Sequence, residues 1–421
     1  MRPGRALISQ MKAALSGPVR EKLHQAIEMI VQARLRDRNV VVVTGSGPNI
    51  HEGVTTLIAE LIHKGIVQGV VTSSAVVAHE MAGTLDRVKR VSITDAAKFG
   101  LPPGILPRGS VFEITCLSPA QRAMLQSEMP GSWELYERVE EMPGQIIIKA
   151  AGNMAWPMGL RTELLAREAQ ELAAKCGTTV EHVAGLGADS MTIIGAGAGH
   201  KVPVIVSVPQ LVGGGAVGLA IGDAISNTKR SQLVAQVLAG ADVIIESAIA
   251  LPQEIHDGPF ETYTGHGIWA AWEHSSTFSL AGKTLIRIDL DPNLELAWRM
   301  EREGFTVQSA VDQGLPKTKA TGIPFRMEMS GFARLEGSIP VTADIGVAWP
   351  IMAFALEDAL GIQLDFISAP QESEEGQLMR EWIVDHVGYL DRKKMHERME
   401  SHGLGEPSRA DSQLLPTPDK Q

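Results

Sequence analysis

Short apolar runs alternate along the chain with stretches in which apolar residues recur at helical spacing. The first two runs are Val40 to Val43 and Val67 to Val71. Between them, the residues at helical spacing are Val54, Leu57, Ile58, Leu61 and Ile62. Runs without polar interruption are typical of strands that are buried on both faces of a parallel sheet. The pattern therefore predicts a β-α-β unit with two parallel strands.

The same alternation returns several times. Further strand-like runs, most of them next to a helical stretch, occur at Val111 to Thr115, Gln145 to Lys149, Val202 to Val208, Val243 to Ser247, Thr284 to Asp289 and Ile339 to Thr342. Strands that alternate with helices assemble into a parallel sheet covered by helices. We predict an α/β fold with a doubly wound, Rossmann-like parallel sheet and flanking helices.

This alternation extends over most of the chain, and we expect one large domain over residues 1–370. Two segments, about 101–158 and 312–336, read as insertions, and the second loses its periodicity among prolines and glycines. From Gln371 the sequence becomes more charged, which predicts a C-terminal helix at about Glu374 to Glu400. A mobile tail is expected after it.

Composition narrows the choice of partners and compartment. The 421 residues are 44% hydrophobic and 21% charged, which is typical of a globular protein. Thirty-eight basic and 49 acidic residues give a net charge of −11, and this makes nucleic acid an unfavourable partner. Two cysteines without a CxxC spacing fit a reducing compartment, and no apolar run reaches the length of a membrane span. We therefore expect a cytoplasmic protein that does not enter a membrane.

A glycine-rich turn follows the first predicted strand. It contains Gly45, Ser46, Gly47 and Asn49, and a helix begins after it. Such turns present backbone N–H groups to the phosphates of a dinucleotide. The spacing is not the G-x-G-x-x-G fingerprint, because Pro48 interrupts the turn and the third glycine is displaced. Contact with a cofactor and a merely tight strand-to-helix connection are both open.

Two later positions are further candidates for cofactor contact. Gly214 lies in a triple-glycine segment that we predict to be a loop, where the chain can approach a ligand or a neighbouring helix closely. Asp289 ends a predicted strand, where a carboxylate can hold ribose hydroxyls. The alternative for Asp289 is that it caps the helix that follows.

The polar segment Gln253 to Gly267 concentrates acid and base groups after the strand that ends at Ser247. We predict that His256 or His266 exchanges protons and that Glu254 or Asp257 holds its tautomer, because histidine is suited to proton transfer at neutral pH. The alternative is a solvated crossover whose histidines only cap helices.

His79 is a fourth catalytic candidate, and Glu80 follows it directly in the sequence. The alternative is that the two are a buried polar pair at the start of a helix. His51 is a further candidate if the other histidines carry no chemistry. We predict no metal site, because no H-x-x-x-H or H-E-x-x-H spacing is present.

Several segments, in the same order, resemble a known family. They are VVVVTGSGPNIHEG and GVVTSSAVVAHEM near the start of the chain, then GHKVPVIVSVPQ, ADVIIESAIAL, KTLIRIDLDPNLELAWRMEREG and PVTADIG. Together they resemble the deoxyhypusine synthase-like superfamily, and within it the NAD-binding domain of archaeal-type and cyanobacterial ornithine cyclodeaminases. The resemblance implies that NAD binds at the carboxyl ends of the strands. It also implies that Gly45 to Gly53, Ser73 and Ser74 with His79, and Asp289 line the cofactor.

The resemblance further implies an enzyme that removes a hydride from an amine-bearing carbon of a small amine or amino acid, as in redox-neutral deamination or cyclodeamination. Lyase and oxidoreductase classes are both compatible with this chemistry. A deoxyhypusine synthase-like transferase is an alternative, but Met329 to Arg334 lacks the nucleophilic lysine of those enzymes. A catalytically silent nucleotide-binding regulatory protein is another, and the acid/base-rich segment favours an enzyme over it.

Two expectations concern binding and assembly. We expect NAD to be preferred over its 2′-phosphorylated form, because a carboxylate at Asp289 would repel the phosphate. We also expect a homodimer or homotetramer, because the chain is rich in apolar residues and the family assembles through the helices that flank its sheet.

Overall fold

A computed structural model of the protein describes residues 1–45, 47–92, 95, 111–152, 155–248, 280, 282–303, 313–314, 322 and 337–401. The elements up to residue 150 are α1 (Arg5–Ala14), α2 (Gly17–Leu35), β1 (Val40–Thr44), α3 (Pro48–His51), α4 (Val54–His63), β2 (Gly69–Thr72), α5 (Ser74–Met81), β3 (Leu85–Ser92), β4 (Val111–Thr115), α6 (Pro119–Glu128), α7 (Trp133–Glu141) and β5 (Gln145–Ala150).

The later elements begin with a long helix that ends at a glycine C-cap. They are α8 (Met158–Cys176), α9 (Val180–Gly187), α10 (Ile193–His200), β6 (Val204–Val206), α11 (Leu211–Ala224), α12 (Asn227–Ala239), β7 (Val243–Ser247), β8 (Thr284–Asp289), α13 (Asn293–Glu303), β9 (Ser338–Thr342), α14 (Ile345–Leu360), α15 (Glu374–His386) and α16 (Arg392–Ser401).

Six strands form one sheet in the order β6-β2-β1-β7-β8-β9. Every pair of neighbouring strands in this sheet is parallel. The sheet grows outward from β1 in one direction and from β7 in the other, which is the doubly wound order of Rossmann-like folds. The predicted α/β fold with a doubly wound parallel sheet is confirmed.

Helices cover both faces of this sheet. Alternate residues of β1 point to opposite faces, so Val40 and Val42 belong to the larger core, which includes residues of α2, α4 and α14. Val41 and Val43 pack in a second core with residues of α12. Because all five residues of β1 are buried, the strand reads as an unbroken apolar run.

A second, smaller sheet corrects one prediction. The runs at 111–115 and 145–149 were predicted as strands of the parallel sheet, but β4 and β5 pair antiparallel with β3 in a separate sheet of order β4-β3-β5. The physical reason is that β4 and β5 are partly exposed and that half of the residues of their partner β3 are charged, namely Asp86, Arg87, Lys89 and Arg90, so that apolar and charged positions are mixed along it. A mixture of this kind is typical of an antiparallel sheet with one solvated face.

Two further predictions are corrected in the helices. The triple-glycine segment around Gly214 is not a loop, because it lies within α11. The single helix predicted at 374–400 is two helices, α15 and α16, and the Asp391 carboxylate accepts a hydrogen bond from the backbone of Lys394 at the start of the second. Both helices bury apolar side chains, among them Met379 and Met395.

Candidate functional site

The carboxyl edge of the parallel sheet has a switch point between β1 and β7. Strands β2 and β6 extend the sheet beyond β1, and β8 and β9 extend it beyond β7. Connections therefore leave these two central strands in opposite directions, and open α/β sheets bind ligands in the crevice that results. The chain leaves β1 through Gly45 and Gly47, so two of the residues predicted to contact a cofactor lie beside this crevice.

Gly47 has the backbone geometry that such a turn requires. Its φ of 68° and ψ of −112° belong to a region that is open to glycine and strained for other residues. A Cβ atom at this position would meet no atom within 4 Å, so the backbone faces open space. Close approach of a pyrophosphate needs this property, and the turn therefore fits a dinucleotide.

Asn49 ties the glycine turn to β7. Its amide nitrogen donates to the carbonyl of Ser247 (3.2 Å), and the Ser247 hydroxyl donates to its amide oxygen (2.5 Å). The indole N–H of Trp349 donates to the same hydroxyl (2.8 Å). Asn49 is buried, with 1% of its surface exposed. These bonds describe a residue that positions the turn across the switch point.

Ser73, Ser74 and Gly214 meet at one helix contact. The Ser73 hydroxyl accepts a hydrogen bond from the backbone of Val76 and caps α5 (3.4 Å). Ser74 is buried, and a Cβ atom on Gly214 would collide with its hydroxyl. These contacts describe close packing of α11 on α5, which was the alternative left open for Gly214. Cofactor contact by the three residues stays a prediction.

Asp289 lies where it was predicted, at the end of β8, and its exposed fraction is 8%. Its Oδ1 accepts a hydrogen bond from the backbone of Asp291 (2.8 Å), so the capping alternative describes this contact. β8 lies on the far side of β7 from β2. In the doubly wound fold the carboxylate that selects NAD belongs to the βαβ half that contains β2. Asp289 therefore lies outside the half that carries the NAD-selecting carboxylate, and its contact with a cofactor stays a prediction.

A group of polar side chains assembles where β5 ends, beside α3 and α5. We call His51, His79, Lys149 and Arg380 the strand-end cluster. Arg380 donates to the carbonyl of Ile148, Lys149 is on the strand itself, and His79 Nδ1 lies 2.6 Å from the carbonyl oxygen of Ala151. His51 ends α3, which contacts β5. Four separate elements thus bring these groups to one place.

The two histidines of the cluster are held in the neutral form. Burial lowers the pKa of His51 to about 4, and the positive charges of Arg380 and Lys149, with that of His79 when it is protonated, add to this effect. Burial also lowers the pKa of His79, and Lys149 adds to this effect. Because a carbonyl oxygen only accepts, the Nδ1 of His79 carries the proton and its Nε2 keeps a lone pair. Nε2 is therefore the atom of this side chain that can accept a proton.

Two acids next to these histidines have different roles. Burial raises the pKa of Glu52 to about 7, against the opposing effect of the backbone N–H of Gln371 (2.7 Å). Glu80 accepts hydrogen bonds from the backbone of Ile193 and Ile194 at the start of α10 (2.9 and 3.0 Å). Glu80 is thus engaged in structure and does not bond to His79, with which it was paired in the sequence.

The other predicted site residues lie outside the described part of the chain. They are Ser46, between Gly45 and Gly47, and the three catalytic candidates Glu254, His256 and His266. Asn153, which follows the cluster in sequence, also lies outside it. Their roles stay predictions.

Lys149 and Arg380 belong to the candidate site but were not predicted from the sequence. One signal was available for Lys149, because it is a lone cation directly after the three isoleucines 146–148 of an otherwise apolar run. Nothing comparable marks Arg380, since arginine is ordinary on the exposed face of an amphipathic helix. Its place in the site depends on how α15 packs against β5.

Metal-binding groups and membrane-spanning helices are both absent from the described residues. They contain no group of three or more His, Cys, Asp or Glu side chains arranged to hold a metal ion. None of the helices in the described ranges combines the length and the apolar character that crossing a bilayer requires.

Comparisons with known proteins include a distant structural neighbour among solved structures. No protein-family model matches the chain, and no curated protein matches it significantly. Among solved structures, a conserved protein from Methanococcus maripaludis S2 that is assigned to LOR/SDH is similar over 86% of this chain and 71% of its own, with 11% identity and a TM-score of 0.37. A likeness of this degree carries no argument about activity.

Proposed function

We propose that the protein is an NAD-dependent enzyme that removes a hydride from an amine-bearing carbon of a small amine or amino acid. The observation that carries the proposal is the closeness of the crevice to the strand-end cluster. Gly47 begins the turn at the crevice and His51 ends the helix α3 that follows it. At 1.5 Å per helical residue, this separation is about 6 Å along the helix.

In this proposal the crevice binds the cofactor and the strand-end cluster transfers the proton. Gly45 and Gly47 would accept the pyrophosphate at the mouth of the crevice, and Asp289 would contact ribose hydroxyls of the half that lies over β8. NAD, when bound, supplies the hydride acceptor. The Nε2 atom of His79 holds or releases a proton, with its ring fixed by the carbonyl of Ala151.

The resemblance to the deoxyhypusine synthase-like superfamily supports the amine chemistry and the redox-neutral version of it. The absence of a lysine between Met329 and Arg334 argues against aminobutyl transfer through an enzyme-bound imine. The remaining alternative is a nucleotide-binding regulatory protein, and histidines held neutral near the crevice favour an enzyme over it.

The first arm of the test measures nucleotide binding through the fluorescence of the reduced cofactor. Gly47→Ala should weaken binding at least about tenfold, because the methyl group strains the turn and fills the space where a pyrophosphate approaches. Gly177→Ala is the matched control, since Gly177 also has a positive φ, 66°, and open space around its Cα atom but ends α8. Equal binding by both variants would overturn the nucleotide site.

The second arm measures turnover, as reduced cofactor and as released ammonia, with a panel of amines and amino acids. His79→Gln should lower turnover by roughly 10²-fold if its Nε2 transfers the proton. His256→Ala and His266→Ala test the earlier prediction, and a loss confined to them would place proton transfer in the 253–267 segment. Tight nucleotide binding without turnover of any compound would favour the regulatory alternative.

A further inference from the structure

The end of β5 collects cationic side chains in a protein whose net charge is −11. Arg380 donates a hydrogen bond to the carbonyl of Ile148, and His79 donates one to the carbonyl of Ala151. Lys149 follows Ile148 on the strand itself. The backbone of one strand end therefore sets the positions of three of the four groups in the strand-end cluster.

The positive charges of this place are incompletely balanced. Lys149 Nζ lies 2.6 Å from Glu113, but the same carboxylate also pairs with Arg90 at 2.7 Å. One negative charge is thus shared by two cations. Two acids, Glu52 and Glu381, act on Arg380, but Glu381 also pairs with Arg87 and burial raises the pKa of Glu52 to about 7.

Open space borders the cluster on one side. Arg380 lines a groove of about 520 Å³ between β5 and α15, whose other charged lining residues are Arg87, Glu374 and Glu381. This volume lies within the usual range of small-molecule sites. A small anion in the groove can therefore meet the guanidinium group of Arg380 without unfolding the strand end.

We propose that the strand-end cluster is an anion-binding subsite, in which Lys149 and Arg380 bind a carboxylate or phosphate group of the ligand and His51 and His79 lie beside it. That this ligand is the substrate rests on the proposed function. The anion site itself does not, because it needs no nucleotide. Charge-assisted hydrogen bonds from lysine and arginine are the contacts that recognise such groups.

The test follows the ring resonances of the histidines by NMR in the full chain without nucleotide. Inorganic phosphate is added in one arm and acetate in the other, each against chloride at equal ionic strength. The resonances of His51 and His79 should shift saturably in at least one arm, and the arm with the lower Kd identifies the anion. Lys149→Met and Arg380→Met should each weaken that binding about tenfold or more.

Two further variants make the test decisive. Arg87→Met is the matched control, because Arg87 lines the same groove but already pairs with Glu381 and Asp385. Its affinity for the anion should stay within about twofold of the unmodified protein. Lys149→Arg keeps the charge and should keep binding even if Lys149→Met folds poorly.

Histidine resonances that respond to neither anion would overturn the inference. Equal losses of anion affinity in Arg87→Met and Arg380→Met would also overturn it. Failure of the anion site alongside intact, Gly47-dependent nucleotide binding would leave the proposed function standing. Failure of nucleotide binding with an intact anion site would remove the proposed function instead.

Discussion

Two arginine sites in this molecule, Arg230 and the partly buried Arg380, differ in how their charge is balanced. Arg230 pairs with Glu181 at 2.5 Å, and the two side chains are 1% and 0% exposed. Arg230 also donates to the carbonyls of Val206 and Ile221 (3.1 and 2.7 Å), and Glu181 accepts from the backbone of Val206 (2.8 Å). In the strand-end cluster, Lys149 shares Glu113 with Arg90, and Arg380 lies near Glu381, which also pairs with Arg87.

The difference separates structure from candidate function. A balanced ion pair that is bonded on both sides to the backbone joins α9, α12, β6 and α11 and leaves no charge to offer a ligand. An unbalanced group of cations beside a groove costs stability unless an anion approaches it. Charge balance therefore distinguishes the two sites in addition to burial, since Arg230 is fully buried and Arg380 is partly exposed.

The largest expected effect concerns the balanced pair. Arg230→Met should lower the free energy of unfolding by about 3–5 kcal/mol, because Glu181 remains buried without its partner. Arg230→Met combined with Glu181→Met should recover most of the loss, since neither charge is then buried. Urea unfolding followed by circular dichroism measures both values.

Arg380→Met is the counterpart of this variant in the strand-end cluster. It should lower the free energy of unfolding by less than half as much as Arg230→Met does, because it relieves repulsion among cations while it removes one hydrogen bond to the carbonyl of Ile148. If Arg380→Met destabilises the protein as much as Arg230→Met, the cluster is a structural element and the contrast fails.

The sequence predicted the parallel sheet well because its strands are mainly apolar runs between helices. It did not reveal β3, in which four of the eight residues are charged. Gly45, Gly47 and His79 could be chosen because they follow predicted strands. Arg380 could not, because its approach to β5 depends on the packing of α15, which local sequence does not encode.

A third prediction concerns pH and separates the contributions of two neighbouring groups, His51 of the cluster and Glu52 next to it. The pKa of His51 is lowered from 6.5 to about 4, so the unfolded chain binds a proton that the folded chain does not, and stability falls as pH decreases through this window. The pKa of Glu52 is raised from 4.5 to about 7, so the folded chain keeps a proton that the unfolded chain loses, and stability falls as pH rises. The two contributions oppose each other between pH 4.5 and 6.5.

Single substitutions should reveal each contribution. Relative to the unmodified protein, the stability of His51→Gln should decline with rising pH between 4.5 and 6.5, by up to about 1.4 kcal/mol per pH unit. Glu52→Gln should show the opposite change over the same range. Urea unfolding at several pH values provides the curves, and parallel curves for all three proteins would contradict the assigned burial of the cluster.

The smallest expected effect concerns an arginine that is balanced but exposed. Arg87 pairs with Glu381 and Asp385 between β3 and α15, and its side chain is 35% exposed while those of the acids are 51% and 54% exposed. Water competes for all three groups and screens them, so Arg87→Met should lower the free energy of unfolding by less than about 1 kcal/mol. High salt should reduce the difference between variant and unmodified protein, because screening weakens exposed pairs first. A loss that equals that of Arg230→Met, or one that salt does not change, would mean that this junction excludes water as the buried pair does. The ranking of the arginines would then follow their number of acidic partners and not their burial.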